Sequence, residues 1–277
     1  MEKVEAFAEL KRNRLALVGL CLILCLVVLA LIGPSIAPYN PLAPDPINRL
    51  LGPSWGHPFG TDSLGRDIFS RVIYGSRISI IIGLIAVSIS LVPGTVLGLL
   101  AGFYGRRVDE PIMRLMDIML AFPAILLAIF ITAILGPNLL NTMIAVGIVY
   151  IPHYARIVRS SVLSLKEQLF VQAVRSLGGS NLRIIVLHVF PNTIPPIIVY
   201  ATLGMGTAVL QAAALGFLGL GAQPPAPEWG AMLSEGRQYL QNAPHVAAFP
   251  GLAIFMLVLG FNLFGDGLRD ILDPSLR

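Results

Sequence analysis

Residues 171–192 read VQAVRSLGGSNLRIIVLHVFPN. The stretch places Arg175, Arg183 and His188 among regularly spaced apolar residues, in a chain that is 56% hydrophobic and only 12% charged. Phe170, Val174 and Leu177 recur at one helical period, and Leu182, Ile185 and Val189 at another. That spacing predicts two short amphipathic helices. Gly178-Gly179 can take the left-handed backbone that ends the first helix, and Ser180 can cap the second. A helix inside an apolar layer would avoid these charges, and a plain loop would have no need of the apolar order between them. The reading is a helical hairpin outside such a layer, with an apolar face edged by charge. Such a face fits a cleft on a soluble partner or lies flat on lipid, and periodicity alone does not choose between them.

The layer itself is legible in the composition. A soluble domain carries about 25% charged residues, and this chain of 277 residues has half that with a mean hydropathy of +0.80. Apolar runs near the roughly 20 residues that cross a bilayer lie at about 15–36, 78–103, 112–136, 139–158, 193–218 and 247–264. With the N-terminus inside, the outer segments hold Arg49, Arg66, Arg71, Arg77 and Arg237, and the inner segments hold the other 14 of the 19 basic residues. Basic residues gather on the cytoplasmic side of membrane proteins, so both termini are expected in the cytoplasm. The net charge of +4 and pI near 9.3 then report topology rather than nucleic-acid binding.

The expected organisation is an all-α, multi-pass chain in four parts. A cytoplasmic lead and membrane anchor occupy 1–36, and an extracytoplasmic segment rich in Pro, Gly and Asp occupies 37–77. The membrane core, 78–264, includes the cytoplasmic hairpin 165–191 and an outer loop 219–246. A cytoplasmic tail, 265–277, closes the chain. The first span is longer than the 7–15 apolar residues of a signal peptide, so it is expected to stay. Cys21 and Cys25 within it are expected to be inert thiols, without further ligands to hold zinc. Gly94, Gly98 and Gly102 share one helix face, a pattern that lets helices pack closely in lipid. Asp109 and Glu110 before Pro111 mark a helix start, and Asp117 is expected to pair with Arg114 at the inner interface.

Gln172-Ala173-Val174, then Gly178, then Pro191 resemble the EAA signature of bacterial ABC-importer permeases. Gln172, Val174, His188 and Phe190 depart from its commonest residues. HPFGTDSLGRDIFSRVIYGSRIS at 57–79, LGFLGLGAQPPAPEWGAMLSEGRQYL at 215–240 and FGDGLRDILDP at 264–274 are similar to the second, or C-type, permease of dipeptide, oligopeptide and nickel importers. The resemblance implies six transmembrane helices, one N-terminal helix before the five-helix core of a type I importer. It implies that the hairpin is a coupling helix, with Gln172, Ala173, Val174, Arg175, Gly178 and Pro191 meeting an ATPase. It also implies a second (B-type) permease, one or two ABC ATPase subunits and an extracytoplasmic substrate-binding protein. Location would be the cytoplasmic (inner) membrane of a bacterium or archaeon, in contact with its lipid. Peptide is the expected cargo, with glutathione or a nickel chelate as alternatives.

The residues themselves set limits on chemistry. No G-x-x-x-x-G-K-[ST] occurs, so the chain is not expected to hold ATP by a P-loop; ATP and Mg would sit on partner subunits. No metal site and no catalytic residues are expected, since the histidines at 57, 153, 188 and 245 are scattered. An ion-coupled secondary transporter would need acidic or histidine relays and repeated halves, and Asp117 is the one marginal acid. A membrane scaffold is a third reading. Trp229, Glu228 and Glu235 in the proline-stiffened outer loop are candidates to meet a binding protein, an aromatic anchor among charges being suited to an interface. Packing against the paired permease is the alternative. Gln211, Thr132, Ser88 and Asn262 are polar at mid-span depth and are expected to bond between helices or line a solute route.

Overall fold

The computed structural model describes residues 13–272, so the charged lead 1–12 and the last residues 273–277 lie outside it. Among the described residues the architecture is helical throughout, with one isolated antiparallel bridge between Thr61 and Asp67. The elements are α1 (Arg14–Ile36), α2 (Ile68–Tyr104), α3 (Arg106–Leu120), α4 (Ala124–Leu135), α5 (Leu139–Leu165), α6 (Leu169–Ser176), α7 (Asn181–Phe217), α8 (Trp229–Gly236) and α9 (His245–Leu272).

Four of these, α1, α2, α7 and α9, are long and apolar enough to cross a membrane, and the bent pair α3–α4 makes a fifth candidate. The run expected at 112–136 is not one straight span. α3 and α4 meet at 91°, because Pro123 follows the break and cannot continue the α3 ladder. Arg114 and Asp117 keep α3 amphipathic, so it lies across the direction of α4. The run expected at 139–158 falls within α5, whose 27 residues include Asn141, His153 and Arg156; these polar residues keep it out of the strongly apolar group.

α2 is the axis of the fold. Its 37 residues rise about 55 Å at 1.5 Å each, nearly twice the roughly 30 Å hydrocarbon layer, so its outer turns stand clear of the lipid. Asp67 starts it by accepting from the Ser70 N–H at 2.7 Å, and the helix runs unbroken through Pro93. Inside lipid, helices are held by close packing rather than by escape from water, and the glycine stripe provides it. A Cβ on Gly94 would lie 2.5 Å from the Tyr154 Cβ, one on Gly98 2.6 Å from the Ala155 carbonyl oxygen, and one on Gly102 2.7 Å from the Val162 Cβ. α2 and α5 are therefore seated backbone to backbone. α1 uses the same device against α9: a Cβ on Gly19 would lie 2.7 Å from the Gly260 carbonyl oxygen. Cys21 and Cys25 are free and exposed on its outward side.

Candidate functional site

The hairpin is built from its bend outward. α6 ends where Gly178 takes φ +81°, a conformation that a side chain makes costly. The Gly178 N–H reaches the Arg175 carbonyl at 3.0 Å, and the Gly179 N–H reaches that of Val174 at 3.0 Å, closing the helix end. Ser180 then starts α7, its hydroxyl oxygen accepting from the Arg183 N–H at 3.4 Å. Val171, Ile184 and Val189 are fully buried against Phe103, Val158 and Val162, which belong to the C-terminal ends of α2 and α5. The hairpin is thus a rigid extension of those helices.

The apolar residues divide differently from the simple periodic expectation. Val171 rather than Phe170 leads the inward stripe of α6. Leu177 and Leu182 turn outward, 88% and 70% exposed, together with Leu169. Leu177 leaves the stripe because α6 has already ended, and Leu182 because Ile184 and Ile185 take the inward side of the next turn. Gln172, Ala173, Arg175, Gly178 and Pro191 are exposed and Val174 is half-buried. Arg175 stands 5.9 Å from the centre of the Phe103 ring, and the Gln172 amide donates to the Glu167 carbonyl at 3.0 Å. Sequence reasoning missed a π turn at Ile185–Val189. Phe190 and then Pro191, which has no N–H to donate, follow it, and the Asn192 side-chain amide donates to the His188 carbonyl at 2.7 Å. Such turns recur at functional positions in helices.

Next to the hairpin, α3 is tied to α5 by two ion pairs. Arg159 holds Asp109 at 2.5 Å, and Arg156 holds Asp117 at 2.5 Å. The expected Arg114–Asp117 pair does not form. The bend after α3 turns Asp117 toward α5, where the Arg156 guanidinium can reach it from another helix.

A second construction lies at the opposite end of α2, around its N-terminus. Arg66 donates from Nε to Asp62 at 2.6 Å and from Nη2 to Glu235 at 2.8 Å. Arg71, wholly buried, sits 3.3 Å from the same Glu235 oxygen and 3.5 Å from Asp62. His57 pairs with Asp67 at 2.9 Å. Trp229 is fully buried: its indole N–H donates to the Val72 carbonyl at 3.0 Å, and its ring fills the space left by Gly75, where a Cβ would lie 2.6 Å away. Glu228 is also buried and caps α8, accepting from the Gly230 and Ala231 N–H groups at 2.8 Å each. Burial pushes its carboxyl above the ordinary carboxylate range, with those two N–H groups pulling the other way. The expectation that Trp229 and Glu228 offer an open anchor is therefore corrected. Both are turned inward, Trp229 onto α2 and Glu228 onto the first turn of α8, and Glu235 spends its carboxylate on two arginines of this same chain.

The four mid-span polar residues are not brought together. Ser88 and Thr132 donate to the i−4 carbonyls of Leu84 and Ala128 at 2.7 and 2.8 Å, within their own helices instead of between helices. Asn262 is exposed on α9, and Gln211 is half-buried on α7. Among the described residues, no group of His, Cys, Asp and Glu is arranged to hold a metal ion.

Comparison with known proteins gives this geometry a context. Residues 94–277 match the family described as binding-protein-dependent transport system inner membrane component. Residues 4–53 match the N-terminal TM domain of oligopeptide transport permease C. The chain is 55% identical, over 99% of its own length and 90% of the relative, to the dipeptide transport system permease protein DppC of Alkalihalophilus pseudofirmus. It is 50% identical to the di/tripeptide transport system permease protein DppC of Pseudomonas aeruginosa, over 99% of this chain and 92% of that one. Identity is also 50% to the glutathione transport system permease protein GsiD of Escherichia coli, over 99% and 90%. In fold it is similar to the MetNI methionine ABC transporter in inward facing conformations. That match has a TM-score of 0.59 at 19% identity and covers 73% of this chain and 96% of that one. With the family covering most of its length and relatives matching almost all of it, the chain belongs to the multi-pass inner membrane permeases of binding-protein-dependent ABC transporters, as a transport component and not an enzyme.

Proposed function

We propose that this permease forms half of a peptide translocation pathway, paired with a second (B-type) permease and driven by one or two ATPase subunits that bind ATP and Mg. The observation that carries the proposal is the hairpin: exposed Leu169, Leu177 and Leu182 project from a bend whose inner side is locked into α2 and α5. An ATPase cleft that takes those leucines moves both helices with it. Because the hairpin is continuous with the core, closure of the ATPases shifts the population between inward- and outward-facing states. In this reading the chain crosses the membrane six times, one N-terminal helix before five, with α5 as a crossing despite its polar residues. Both termini lie in the cytoplasm of a bacterium or archaeon, lipid surrounds the outward faces, and an extracytoplasmic binding protein delivers solute to the outer face.

Peptide cargo is supported by the dipeptide and di/tripeptide relatives. Glutathione, itself a peptide, is a second reading favoured by the 50% identity to the glutathione permease. Competitive uptake of a labelled dipeptide against reduced glutathione by the reconstituted importer separates them. Coupling is tested with Gly178→Asp. Nothing lies within 4 Å of where its Cβ would go, so the new side chain strains only the bend, by about 1 kcal/mol, and projects into whatever docks there. The variant should insert normally and lose solute-stimulated ATP hydrolysis; full stimulation would refute the coupling role.

A further inference from the structure

The helical periods of α5 and α7 assemble a polar set that no charge pattern announces. Tyr150 and Tyr154 are one turn apart on α5. Tyr200, Gly204, Thr207 and Gln211 recur at three- and four-residue steps on α7, so the two stripes face each other. Tyr150, Tyr154, Tyr200, Gly204 and Thr207, with Ser90 of α2, line a cavity of about 90 Å³. The Tyr154 ring stands edge-on to Tyr200 with centroids 5.0 Å apart. Tyr154 is 1% exposed, and its hydroxyl lies beside this space near Ser90 of α2, without a hydrogen bond of good geometry. Gly204 leaves the room: a Cβ there would lie 2.8 Å from that hydroxyl.

From the cavity the seam reaches the surface. Tyr150 and Tyr200 are half-buried, and Thr207 is exposed. The His153 ring sits 5.5 Å from that of Tyr150.

Two arguments give the seam a ligand. A buried hydroxyl without a well-formed hydrogen bond is costly, and native structures complete such groups with water or solute. The cavity has room for about three waters at roughly 30 Å³ each. Polar side chains at membrane depth face protein or a watery route, not acyl chains. No Asp, Glu, Lys or Arg lines the cavity. Its hydroxyls both donate and accept, which matches the N–H and C=O groups of an extended peptide and is indifferent to the charge of its side chains.

We propose that the Tyr150–Tyr154–Tyr200 seam is a solute-contact site of the translocation pathway, water-filled in this conformation, that takes peptide backbone amides as α5 and α7 part. The proposal rests on the peptide reading. The test uses the complete importer in proteoliposomes, with Cys21 and Cys25 changed to Ser and dialanine as probe. Tyr150→Cys and Tyr200→Cys should react with a charged, water-soluble methanethiosulfonate during ATP turnover several-fold faster than Phe255→Cys, whose position on α9 is exposed and apolar. Saturating dialanine should slow that labelling. Tyr154→Phe should raise the dialanine KM several-fold, more than it lowers the maximal rate. Labelling no faster than at position 255, or a KM unchanged by Tyr154→Phe, overturns the site. Failure of the unmodified importer to take up dialanine overturns the peptide reading instead, and labelling during turnover still decides whether the seam lies on the watery route.

Discussion

Arg66 donates to Glu235 at 2.8 Å across 169 residues of sequence, joining the segment before α2 to the loop before α9. Asp62 and Arg71 complete the cluster at 2.6 to 3.5 Å. Breaking a buried ion pair by removing one partner costs about 3–5 kcal/mol, because the charge left behind stays buried. Asp62→Ala strips carboxylate from two buried arginines and should fall in that range. Glu235→Gln, at a side chain 24% exposed, should cost less, about 1–2 kcal/mol. Limited proteolysis of the purified importer checks this: both variants should be cut faster within residues 37–67, Asp62→Ala more so.

Glu228 caps α8 in the same loop and carries a pH dependence. Burial raises the Glu228 carboxyl above its ordinary range, so the folded loop disfavours the charged form. Such a group contributes stability below the unfolded carboxylate range and loses it as pH rises through the raised folded value. Glu228→Gln should therefore flatten the decline in thermal stability as pH rises above the ordinary carboxylate range. The slope is the readout, since the substitution also disturbs the cap on α8. An unchanged slope would show that Glu228 does not titrate in that window.

The α2–α5 seam admits no added volume. Gly98→Val would drive a branched side chain into the Ala155 carbonyl and the Val158 Cβ, 2.6 and 2.7 Å from the first atom added. Overpacking of this kind costs about 1–3 kcal/mol or more. The purified protein should melt several degrees lower than one carrying Gly251→Ala, where the nearest atom to a new Cβ is a leucine methyl at 3.6 Å.

In the hairpin, the buried and exposed apolar residues should separate two phenotypes. Leu177→Asp and Leu182→Asp alter exposed positions and should preserve the thermal stability of the isolated permease while abolishing co-purification of the ATPase. Val171→Asp and Ile184→Asp bury a charge in the inner cluster, which costs several kcal/mol, and should lower permease stability itself. Equal loss of stability from all four would deny the hairpin an outward docking face.

Much of this was written in the sequence as periodicity. The Gly94, Gly98 and Gly102 stripe and the Gly178 bend are local patterns with local causes, and both are legible without a structure. The break after α3 was signalled by Pro123 but masked by the apolar residues that continue on either side. Partners distant in sequence were not legible: Asp117 finds Arg156 instead of Arg114, and Arg66 finds Glu235, because helix packing rather than spacing brings them together. Trp229 read as a surface aromatic because its loop is rich in proline, and only Gly75, on another helix, provides the space that buries it. Tyr150, Tyr154 and Tyr200 passed as apolar in a hydropathy reading, so attention fell on Gln211, Thr132, Ser88 and Asn262. Their convergence depends on how α5 faces α7.

The central claim is that this chain is worked from the cytoplasmic side through its bent hairpin. Its most direct test is a cross-link from Leu177→Cys, in a chain with Cys21 and Cys25 replaced by Ser, to the ATPase subunit of the intact importer. Capture whose yield changes between ATP-bound and nucleotide-free states is the predicted result. Absence of capture in both states, with the same cysteine labelled by an impermeant thiol reagent from outside intact cells, would contradict it.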